Sequence, residues 1–529
     1  MKSRAKFWLL AVFFAALASL PVSYAQESPL NGFDDYVRKA MKEWEVPGLA
    51  IAVVKDDKVV FSKTYGVRKL GDPTPVDERT MFAIASCTKA FTAAALAMLV
   101  DEGKLKWDDP VIKHMPDFQL YDPWMTREIT VRDLLTHRSG LAGPEPLWYS
   151  FGLEREEILR RLRYEKPVTS MRTRFSYNNP LYMAAGQLIP RLTGQSYDDF
   201  VRQRIFEPLG MTSSNMSITA LKGSDNISTP YAKLDGKIQP VEWHSVDNMA
   251  PAGSINSNLK DLVQWLRLQL NGGTFNGRQL ISPGAYQEMH RSQIIIRFAG
   301  EGPAEEFSKG LKPDSHFFTT GFGWNLYDYR GHVIDEHGGN INGQSAEIAM
   351  MPDLHLGFIL LSNMNNSFMR TPLMYRIFDA YLGAPPRDWS AEMHTHVTTF
   401  FEKIEAERKR LDAQRVQGTS PSLTLEKYVG TFRSDLFGDL NITLEANKLV
   451  LRFGKPQWQS DLEHWQYDTF KAHWDDPLVR EGKVTFVLTP QGKADEVRFD
   501  MTGGANYPFK RIADAGGGNR GAAGSRGEH

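Results

Sequence analysis

The stretch from Met81 to Gly103, MFAIASCTKAFTAAALAMLVDEG, constrains the fold and the chemistry of this chain more than any other. It holds a serine and a lysine three residues apart, Ser86 and Lys89, and residues at that spacing lie on one face of a helix. The residues that follow are apolar and rich in alanine, and Gly103 is a natural helix end. The sequence therefore predicts an apolar helix with Ser86 at or near its N-terminus, where backbone N–H groups are unpaired.

A serine in this position has what acyl transfer requires, because a base lies one turn away and a hydrogen-bond donor lies at its own backbone nitrogen. A lysine among apolar residues has a lowered pKa and can act as a base. The alternative for an isolated S-x-x-K pattern is a helix cap with a solvated lysine. Cys87, the single cysteine of the chain, is a second candidate nucleophile, but such a cysteine is more typical of a buried hydrophobic residue. We expect Ser86 to be the nucleophile.

The first 25 residues are typical of a secretory signal peptide. A positive start at Lys2, Arg4 and Lys6 is followed by an apolar run from Phe7 to Leu20 and by the small residues of Ser23-Tyr24-Ala25. We predict cleavage after residue 25 and a periplasmic or secreted protein with no stable membrane span after cleavage. The alternative is an uncleaved membrane anchor, for which the apolar run is short.

Length and composition predict a multidomain globular protein. A chain of 529 residues is long enough for more than one domain. Its 62 basic and 63 acidic residues balance, so the overall charge gives no indication of nucleic-acid binding. A helix from Phe33 to Trp44, a hairpin over 48–61 and further strands between Phe322 and Leu361 predict an α/β (α+β) domain over 30–385. Its expected architecture is an antiparallel sheet flanked by helices, with an all-α cluster.

The carboxyl-terminal part has a different sequence pattern. A charge-rich helical linker is predicted over 391–417, followed over 420–512 by short strands of a small all-β sandwich or barrel. A glycine-rich tail over 513–529 is predicted to be disordered. The aromatic residues of the β-domain fit an oligomerisation or substrate-gating role, and they fit core packing equally well (Trp458, Trp465, Tyr467, Phe470, Trp474).

Two further segments hold candidate site residues. Tyr177 and Asn179, two apart in a predicted loop, can face the same cavity, and a tyrosine near an ammonium group loses its proton more easily and can act as a base. The alternative is a capping turn with a packed tyrosine. His137 follows a short helix capped by Thr130, and we expect it to be structural and to pair with backbone carbonyls.

The sequence predicts no metal and no other cofactor. The spacing of His332 and His337 fits no zinc pattern. Gly343-Gln344-Ser345 lacks the final glycine of a G-x-S-x-G elbow, which argues against an α/β-hydrolase. Gly338-Gly339 would let a substrate or a helix approach the strand backbone closely.

Three motifs in order resemble those of the penicillin-recognising serine hydrolases. Ser86-Cys87-Thr88-Lys89 resembles S-x-x-K, Tyr177-Asn178-Asn179 resembles Y-x-N, and His337-Gly338-Gly339 resembles H/K-x-G. The ITVRDLLTHRSGL segment and the PLGM run at 208–211 are also similar to this family. The nearest branch is the class C β-lactamase-like group, which includes D,D-peptidases, D-aminopeptidases and esterases. The β-domain is similar to the lipocalin-like domain of some D-amino-acid-specific peptidases.

The resemblance implies a role for each motif residue. Ser86 is acylated, and Lys89 and Tyr177 share the proton transfer, with Tyr177 the expected base. Asn179 hydrogen-bonds the substrate amide, and His337, with Gly339 after it, takes the position of the third-motif lysine. The backbone N–H groups of Ser86 and Asn340 form the oxyanion hole.

Two departures from the family narrow the expected function. The second and third motifs are Tyr177-Asn178-Asn179 and His337-Gly338-Gly339 rather than S-D-N and K-T-G, and a histidine at 337 attracts a substrate carboxylate more weakly than a lysine. We therefore expect an acyl-enzyme hydrolase of D-amino-acid peptides or peptidoglycan fragments, related to D,D-carboxypeptidases. A short-chain carboxylesterase, a weak β-lactamase and a penicillin-binding sensor without turnover stay open. Expected partners are small-molecule or peptide substrates and no nucleic acid, and a homo-oligomer is compatible with the sequence.

Overall fold

The structure is a computed structural model that describes residues 29–297, 303–456, 458–479, 481–501 and 506–512. The predicted signal peptide and the predicted disordered tail lie outside the described residues. None of the described helices is both long and apolar enough to cross a membrane.

An eight-stranded antiparallel sheet forms the centre of the amino-terminal domain, in the order β2-β1-β14-β13-β12-β11-β10-β9. Three small two-stranded pairs, β3-β6, β4-β5 and β7-β8, lie outside it. The strands of this domain are β1 (Gly48–Lys55), β2 (Lys58–Gly66), β3 (Phe82–Ala83), β4 (Tyr231–Leu234), β5 (Lys237–Pro240), β6 (Asn256–Ser257), β7 (Thr274–Phe275), β8 (Arg278–Gln279), β9 (Ile294–Ile295), β10 (Phe318–Thr320), β11 (Asn325–Tyr329), β12 (His332–Ile341), β13 (Gln344–Met351) and β14 (Leu356–Ser362).

Helices cover both faces of this sheet and build an all-α region beside it. In chain order they are α1 (Phe33–Glu43), α2 (Thr88–Asp101), α3 (Val111–His114), α4 (Pro123–Glu128), α5 (Val131–Leu135), α6 (Arg155–Arg161), α7 (Asn179–Thr193), α8 (Tyr197–Val201), α9 (Glu207–Leu209), α10 (Ala250–Gly253), α11 (Leu259–Leu270), α12 (Pro283–Met289), α13 (Pro303–Leu311), α14 (Arg370–Leu382) and α15 (Trp389–Ala413).

Strand β1 shows how the sequence builds a three-layer core. Successive side chains of a strand point to opposite faces of the sheet. Ala50, Ala52 and Val54 belong to the same apolar cluster as residues of α2, α7 and α11, and the intervening leucine, isoleucine and valine belong to the cluster that includes α1 and α14. Both faces of β1 are therefore buried, which explains its uninterrupted apolar sequence. The α/β (α+β) class predicted from the sequence is confirmed.

The carboxyl-terminal β-domain is a closed barrel of eight consecutive antiparallel strands. Closure pairs β15 with β22 and leaves no sheet edge exposed. Long helix α15 precedes the barrel, whose strands are β15 (Gly430–Ser434), β16 (Gly438–Glu445), β17 (Lys448–Phe453), β18 (Gln459–Gln466), β19 (Thr469–His473), β20 (Glu481–Leu488), β21 (Ala494–Asp500) and β22 (Asn506–Arg511).

Some local predictions are wrong. Phe322-Gly323-Trp324 is a turn rather than the start of a strand, because Gly323 has a φ of 77° and β11 begins at Asn325. Residues 250–253 form helix α10 and residues 111–114 form helix α3. The barrel strands β18, β19 and β22 carry many polar residues on their outer face, so apolar runs in the sequence do not reveal them.

One loop of the amino-terminal domain enters the core of the barrel. Phe151 packs on Phe453, Phe437 and Phe509 of the barrel, with ring centroids 4.9, 5.5 and 6.4 Å away. The hydroxyl of Tyr149 accepts a hydrogen bond from Asn342 Nδ2 at 2.8 Å and donates one to the barrel carboxylate of Asp476, also at 2.8 Å (Tyr149 and Asn342 belong to the amino-terminal domain). The two domains therefore share both apolar and polar contacts.

Candidate active site

Ser86 lies in a tight turn just before helix α2. Residues Ala85–Cys87 form a single 3-10 turn that continues into the helix at Thr88. Ala85 has a φ of 45°, a left-handed conformation that is costly for a residue with a Cβ. The turn presents Ser86, which is partly exposed, at the N-terminal end of a buried helix. Ser86 therefore lies at the start of the helix, where the sequence places it.

Lys89 lies within hydrogen-bond distance of the Ser86 hydroxyl. Its Nζ is 3.1 Å from Ser86 Oγ and 2.8 Å from the carbonyl oxygen of Ala252 in α10. The lysine is completely buried, and burial lowers its pKa to about 7. A large fraction of Lys89 is therefore neutral near pH 7 and able to accept a proton.

Tyr177 approaches the same hydroxyl from the other side. Its hydroxyl donates a hydrogen bond to Ser86 Oγ at 2.8 Å, and its ring centroid lies 4.8 Å from Lys89 Nζ. The residue is 39% exposed, but desolvation by the surrounding protein raises the pKa of its hydroxyl. The phenol is therefore protonated in the resting site.

His137 supports Tyr177. Its ring stacks on that of Tyr177, and its Nδ1 accepts a hydrogen bond from the backbone N–H of Asn178 at 3.0 Å. Burial holds the pKa of His137 well below its usual range, so the ring is neutral. The predicted pairing with a backbone carbonyl is wrong: the partner of this nitrogen is an N–H group, and it belongs to the Y-x-N motif.

Asn179 is the first residue of helix α7 and lies beside Tyr177. The side chain of the preceding Asn178 caps this helix by accepting a hydrogen bond from Leu181 N at 2.9 Å. The Asn179 side chain is half-buried, and within the described ranges it has no hydrogen-bond partner. It is therefore free to bind another group.

Strand β12 runs past the nucleophile and carries the third motif. A Cβ on Gly339 would lie 2.0 Å from the carbonyl oxygen of Ile84, so only glycine allows the strand this close to the Ser86 turn. Pairing of β12 with β11 ends at Glu336, so residues 337–341 are paired with β13 alone and have a free backbone edge. The exposed Asn340 lies on this edge.

His337 is buried behind this edge. Its Nδ1 lies 2.8 Å from the carbonyl oxygen of Gly323, and burial lowers its pKa to about 4. The ring is therefore neutral at pH 7. Its backbone carbonyl accepts a hydrogen bond from the buried Cys87 thiol, whose pKa is raised well above its usual value by burial. A buried, protonated thiol is a poor nucleophile, so Ser86 remains the better candidate.

Sequence reasoning missed three contributors to the site. They are the Ala252 carbonyl, the Gly323 carbonyl and the imidazole of His137 as the support of Tyr177. A backbone carbonyl leaves no trace in side-chain patterns. The sequence does single out His137, but nothing in it links this histidine to Tyr177. In the described ranges no group of three or more metal-ligating side chains is present, and His332 pairs with Asp353 at 2.6 Å.

The chain is similar in sequence to known proteins over most of its length. A sequence model of the Beta-lactamase family matches residues 33–382, and a domain of unknown function, DUF3471, matches residues 414–511. Unguisins hydrolase ungD of Aspergillus violaceofuscus is 30% identical over 482 residues, which cover 84% of this chain and 83% of that protein. Protein flp of Staphylococcus aureus is 25% identical over 344 residues, 64% of this chain and 63% of that protein.

The fold is also similar to solved structures. The octameric penicillin-binding protein homologue from Pyrococcus abyssi aligns with a TM-score of 0.58 at 21% identity, covering 91% of this chain and 100% of that one. SurE aligns with a TM-score of 0.56 at 19% identity, covering 92% and 100%. The family match spans the whole domain that contains Ser86, Lys89 and Tyr177. The chain belongs to the Beta-lactamase family.

Proposed function

We propose that the protein is a secreted or periplasmic hydrolase that cleaves an amide or ester bond of D-amino-acid peptides through an acyl-enzyme on Ser86. The observation that carries the proposal is the convergence of Lys89 Nζ and the Tyr177 hydroxyl on Ser86 Oγ, at 3.1 and 2.8 Å. A serine with a base and a proton donor at these distances is an activated nucleophile.

Lys89 is the general base of the proposed acylation step. Ser86 Oγ attacks the substrate carbonyl carbon and its proton moves to neutral Lys89, whose pKa of about 7 suits this transfer near neutral pH. Tyr177, the base expected from the resemblance, has a raised pKa and is protonated at rest, so we assign it the donation of a proton to the leaving group. The leaving amine or alcohol departs as the carbonyl re-forms, Tyr177 recovers its proton from Lys89, and water hydrolyses the ester by the same path.

The substrate lies along the free edge of β12. Its carbonyl oxygen, which becomes negative in the tetrahedral intermediate, is placed between the backbone N–H groups of Ser86 and Asn340. The Asn179 side chain, which has no partner within the described ranges, binds the substrate amide. Gly339 allows this edge to lie against the Ser86 turn.

The electrostatics at His337 narrow the substrate class. A neutral imidazole cannot form an ion pair with a carboxylate, so a free carboxylate next to the scissile bond gains little at this position. We therefore favour cleavage inside a peptide or near its amino end over D,D-carboxypeptidase or strong β-lactamase activity. The fungal relative that matches most of this chain is named a hydrolase of unguisins, which supports a peptide-like substrate.

A short-chain carboxylesterase is the second candidate, because the same neutral His337 accepts a substrate without any carboxylate. The acyl-enzyme and the roles of Ser86, Lys89 and Tyr177 would be unchanged. A penicillin-binding sensor would also acylate Ser86 but would not release product. The peptidase, the esterase and the sensor differ in which acyl group is attached to Ser86 and in how fast the acyl-enzyme is hydrolysed.

Intact-protein mass spectrometry distinguishes these possibilities. The purified protein is mixed in turn with a fluorescent penicillin, a D-alanyl peptide and a p-nitrophenyl ester, and Ser86→Ala is the control. We expect an adduct on Ser86 that decays as product appears, fastest with the peptide, and no adduct on the variant. Fastest release from the ester identifies an esterase, and a persistent adduct identifies a sensor. No adduct with any probe, or full activity of Ser86→Ala, contradicts the proposal.

A further inference from the structure

A network of buried ionisable side chains lies beneath strand β12, on the face opposite Ser86. Lys312 Nζ is 2.7 Å from Glu336 Oε1, and Arg370 Nε is 2.9 Å from Glu347 Oε2. The two glutamates also hydrogen-bond to each other. All four side chains are at most 16% exposed. Burying four ionisable groups is costly, so a purely structural apolar core would be the cheaper solution.

Arg370 connects this network to the catalytic strand. Its Nη1 donates a hydrogen bond to the carbonyl oxygen of Gly339 at 3.3 Å. The contact is possible because Gly338 has no side chain: a Cβ there would lie 3.2 Å from both Arg370 Nη2 and Glu347 Oε2. Gly338 thus opens one face of β12 to the arginine, and Gly339 opens the other face to the Ser86 turn.

The Gly339 carbonyl and the Asn340 N–H belong to one peptide unit. A peptide unit is planar, so a donor that fixes its carbonyl also fixes the direction of its N–H. A charged donor on the carbonyl polarises the unit and makes the N–H a stronger donor. The Asn340 N–H is the group that the proposed mechanism places in the oxyanion hole.

We propose that Arg370 is a positioning residue that orients and polarises the Asn340 N–H for transition-state stabilisation, with Glu347 holding its guanidinium in place. This inference rests on the proposed acyl-enzyme function. Glu347 has its pKa raised well above the usual value by burial and by ionised Glu336, so it is protonated and donates to that carboxylate. Lys312 balances the charge of Glu336.

The test separates transition-state from ground-state binding. Arg370→Met is compared with Arg376→Met, which changes an arginine of the same helix that lies over the Tyr36 ring. Removing one oxyanion donor costs about 10²- to 10³-fold in kcat, so losing only its orientation should cost roughly tenfold. We expect kcat of Arg370→Met to fall by roughly this factor with KM nearly unchanged. The affinity for phenylboronic acid, which forms a tetrahedral adduct with a serine, should fall in parallel.

Ground-state binding is measured separately. Binding of the intact D-alanyl peptide is compared between Ser86→Ala and the Ser86→Ala, Arg370→Met double variant, and we expect equal affinities. Arg370→Lys is the second variant in case the methionine variant does not fold. A single ammonium can keep the pair with Glu347 but cannot also reach Gly339, so it should fold normally and still lose kcat.

Three results overturn the inference. The first is a folded Arg370→Met or Arg370→Lys protein with unchanged kcat and boronate affinity. The second is an equal loss of boronate and peptide affinity, which indicates a general structural role. The third is the same loss in Arg376→Met. A wild-type protein that forms no acyl-enzyme overturns the proposed function as well, whereas normal turnover with any of the three results overturns this inference alone.

Discussion

The imidazole of His137 stacks on the phenol ring of Tyr177, with ring centroids 4.3 Å apart and planes 30° apart. The same imidazole accepts the N–H of Asn178, the next residue along the chain. His137 thus fixes both the ring and the backbone of the Y-x-N motif. It acts on the proton donor of the site through packing rather than through contact with the reacting hydroxyl.

His137→Phe should keep the stacked ring but remove the acceptor. The buried N–H of Asn178 would then be unsatisfied, which costs about 1–3 kcal/mol of unfolding free energy. We expect a lower midpoint in chemical denaturation and a reduced kcat, because Tyr177 loses its fixed position. His316→Phe, at a largely exposed histidine, is the control. Wild-type stability and kcat in His137→Phe would contradict the supporting role.

Lys89→Arg should abolish turnover. A guanidinium stays protonated at any working pH and cannot accept the Ser86 proton, so we expect a loss of at least about 10²-fold in kcat/KM. In the wild type, kcat/KM should rise with pH through a pKa of about 7 as Lys89 becomes neutral. Lys104→Arg at the surface is the matched control. A pH profile that is flat between 5 and 9 would show that Lys89 is not the base, these bounds being about two units on either side of its pKa.

Lys89→Met should stabilise the protein while inactivating it. The folded pKa of Lys89, about 7, lies below the unfolded value of about 10.4, so the unfolded state binds more protons between these limits and stability rises with pH across that window. The cost of burying the lysine is fully present below pH 7. We therefore expect methionine to raise the melting temperature more at pH 6 than at pH 10. An equal effect at both pH values would contradict the shifted pKa.

Gly339→Ala should destroy activity without unfolding the domain. Its Cβ would lie 2.0 Å from the Ile84 carbonyl oxygen, so strand β12 must move away from the Ser86 turn. A displacement of about 1 Å at a catalytic centre costs about 10²-fold in rate. The control is Gly284→Ala, where a Cβ meets no atom within 4 Å. Retention of Ser86 labelling at the wild-type rate would show that the close approach is unnecessary.

Tyr149→Phe tests the polar link between the domains. The change leaves Asn342 Nδ2 and the Asp476 carboxylate without their shared hydroxyl, and should cost about 1–3 kcal/mol of unfolding free energy. Asn342 lies in the turn that follows β12, so a smaller loss of kcat should accompany it. Tyr121→Phe, at a half-exposed tyrosine, is the control. Equal stability of the two variants would contradict the link.

The sequence predicts the candidate catalytic residues better than the residues that hold them in place. Ser86 lies in the turn just before helix α2 and Lys89 lies three residues later in that helix, so local geometry alone brings their side chains together. Tyr177 is 91 residues away from Ser86, and only the ordered motifs of a known family placed it at the site. The arginine beneath Gly339 belongs to no motif, and its contact depends on the register of β12 and on helix α14.

In the β-domain, too, the contacts that the sequence does not predict are those between residues far apart in the chain. Alternation of apolar residues predicted several of its strands, but closure depends on the pairing of Phe432 and Arg433 with Arg511 and Lys510, which no local pattern contains. Trp458 and Trp474 belong to the apolar core of the barrel, whereas Tyr467 is exposed. Phe151, which also belongs to that core, lies in a loop about 280 residues before the barrel. Contacts between residues so far apart in the chain leave no local sequence pattern.

Because Phe151 comes from the amino-terminal domain, the barrel core is complete only when both domains are present. Cutting at helix α15 would leave this ring, which is 8% exposed in the intact protein, on the surface of the hydrolase domain and would leave a hole among Phe437, Phe453 and Phe509 in the isolated barrel. Replacing a buried phenylalanine by a cavity costs about 3–5 kcal/mol, a large part of the stability of a small domain. Each half expressed alone would thus be destabilised, the amino-terminal half by an exposed phenylalanine ring and the barrel by a cavity in its core. We therefore expect the two domains to have been inherited together.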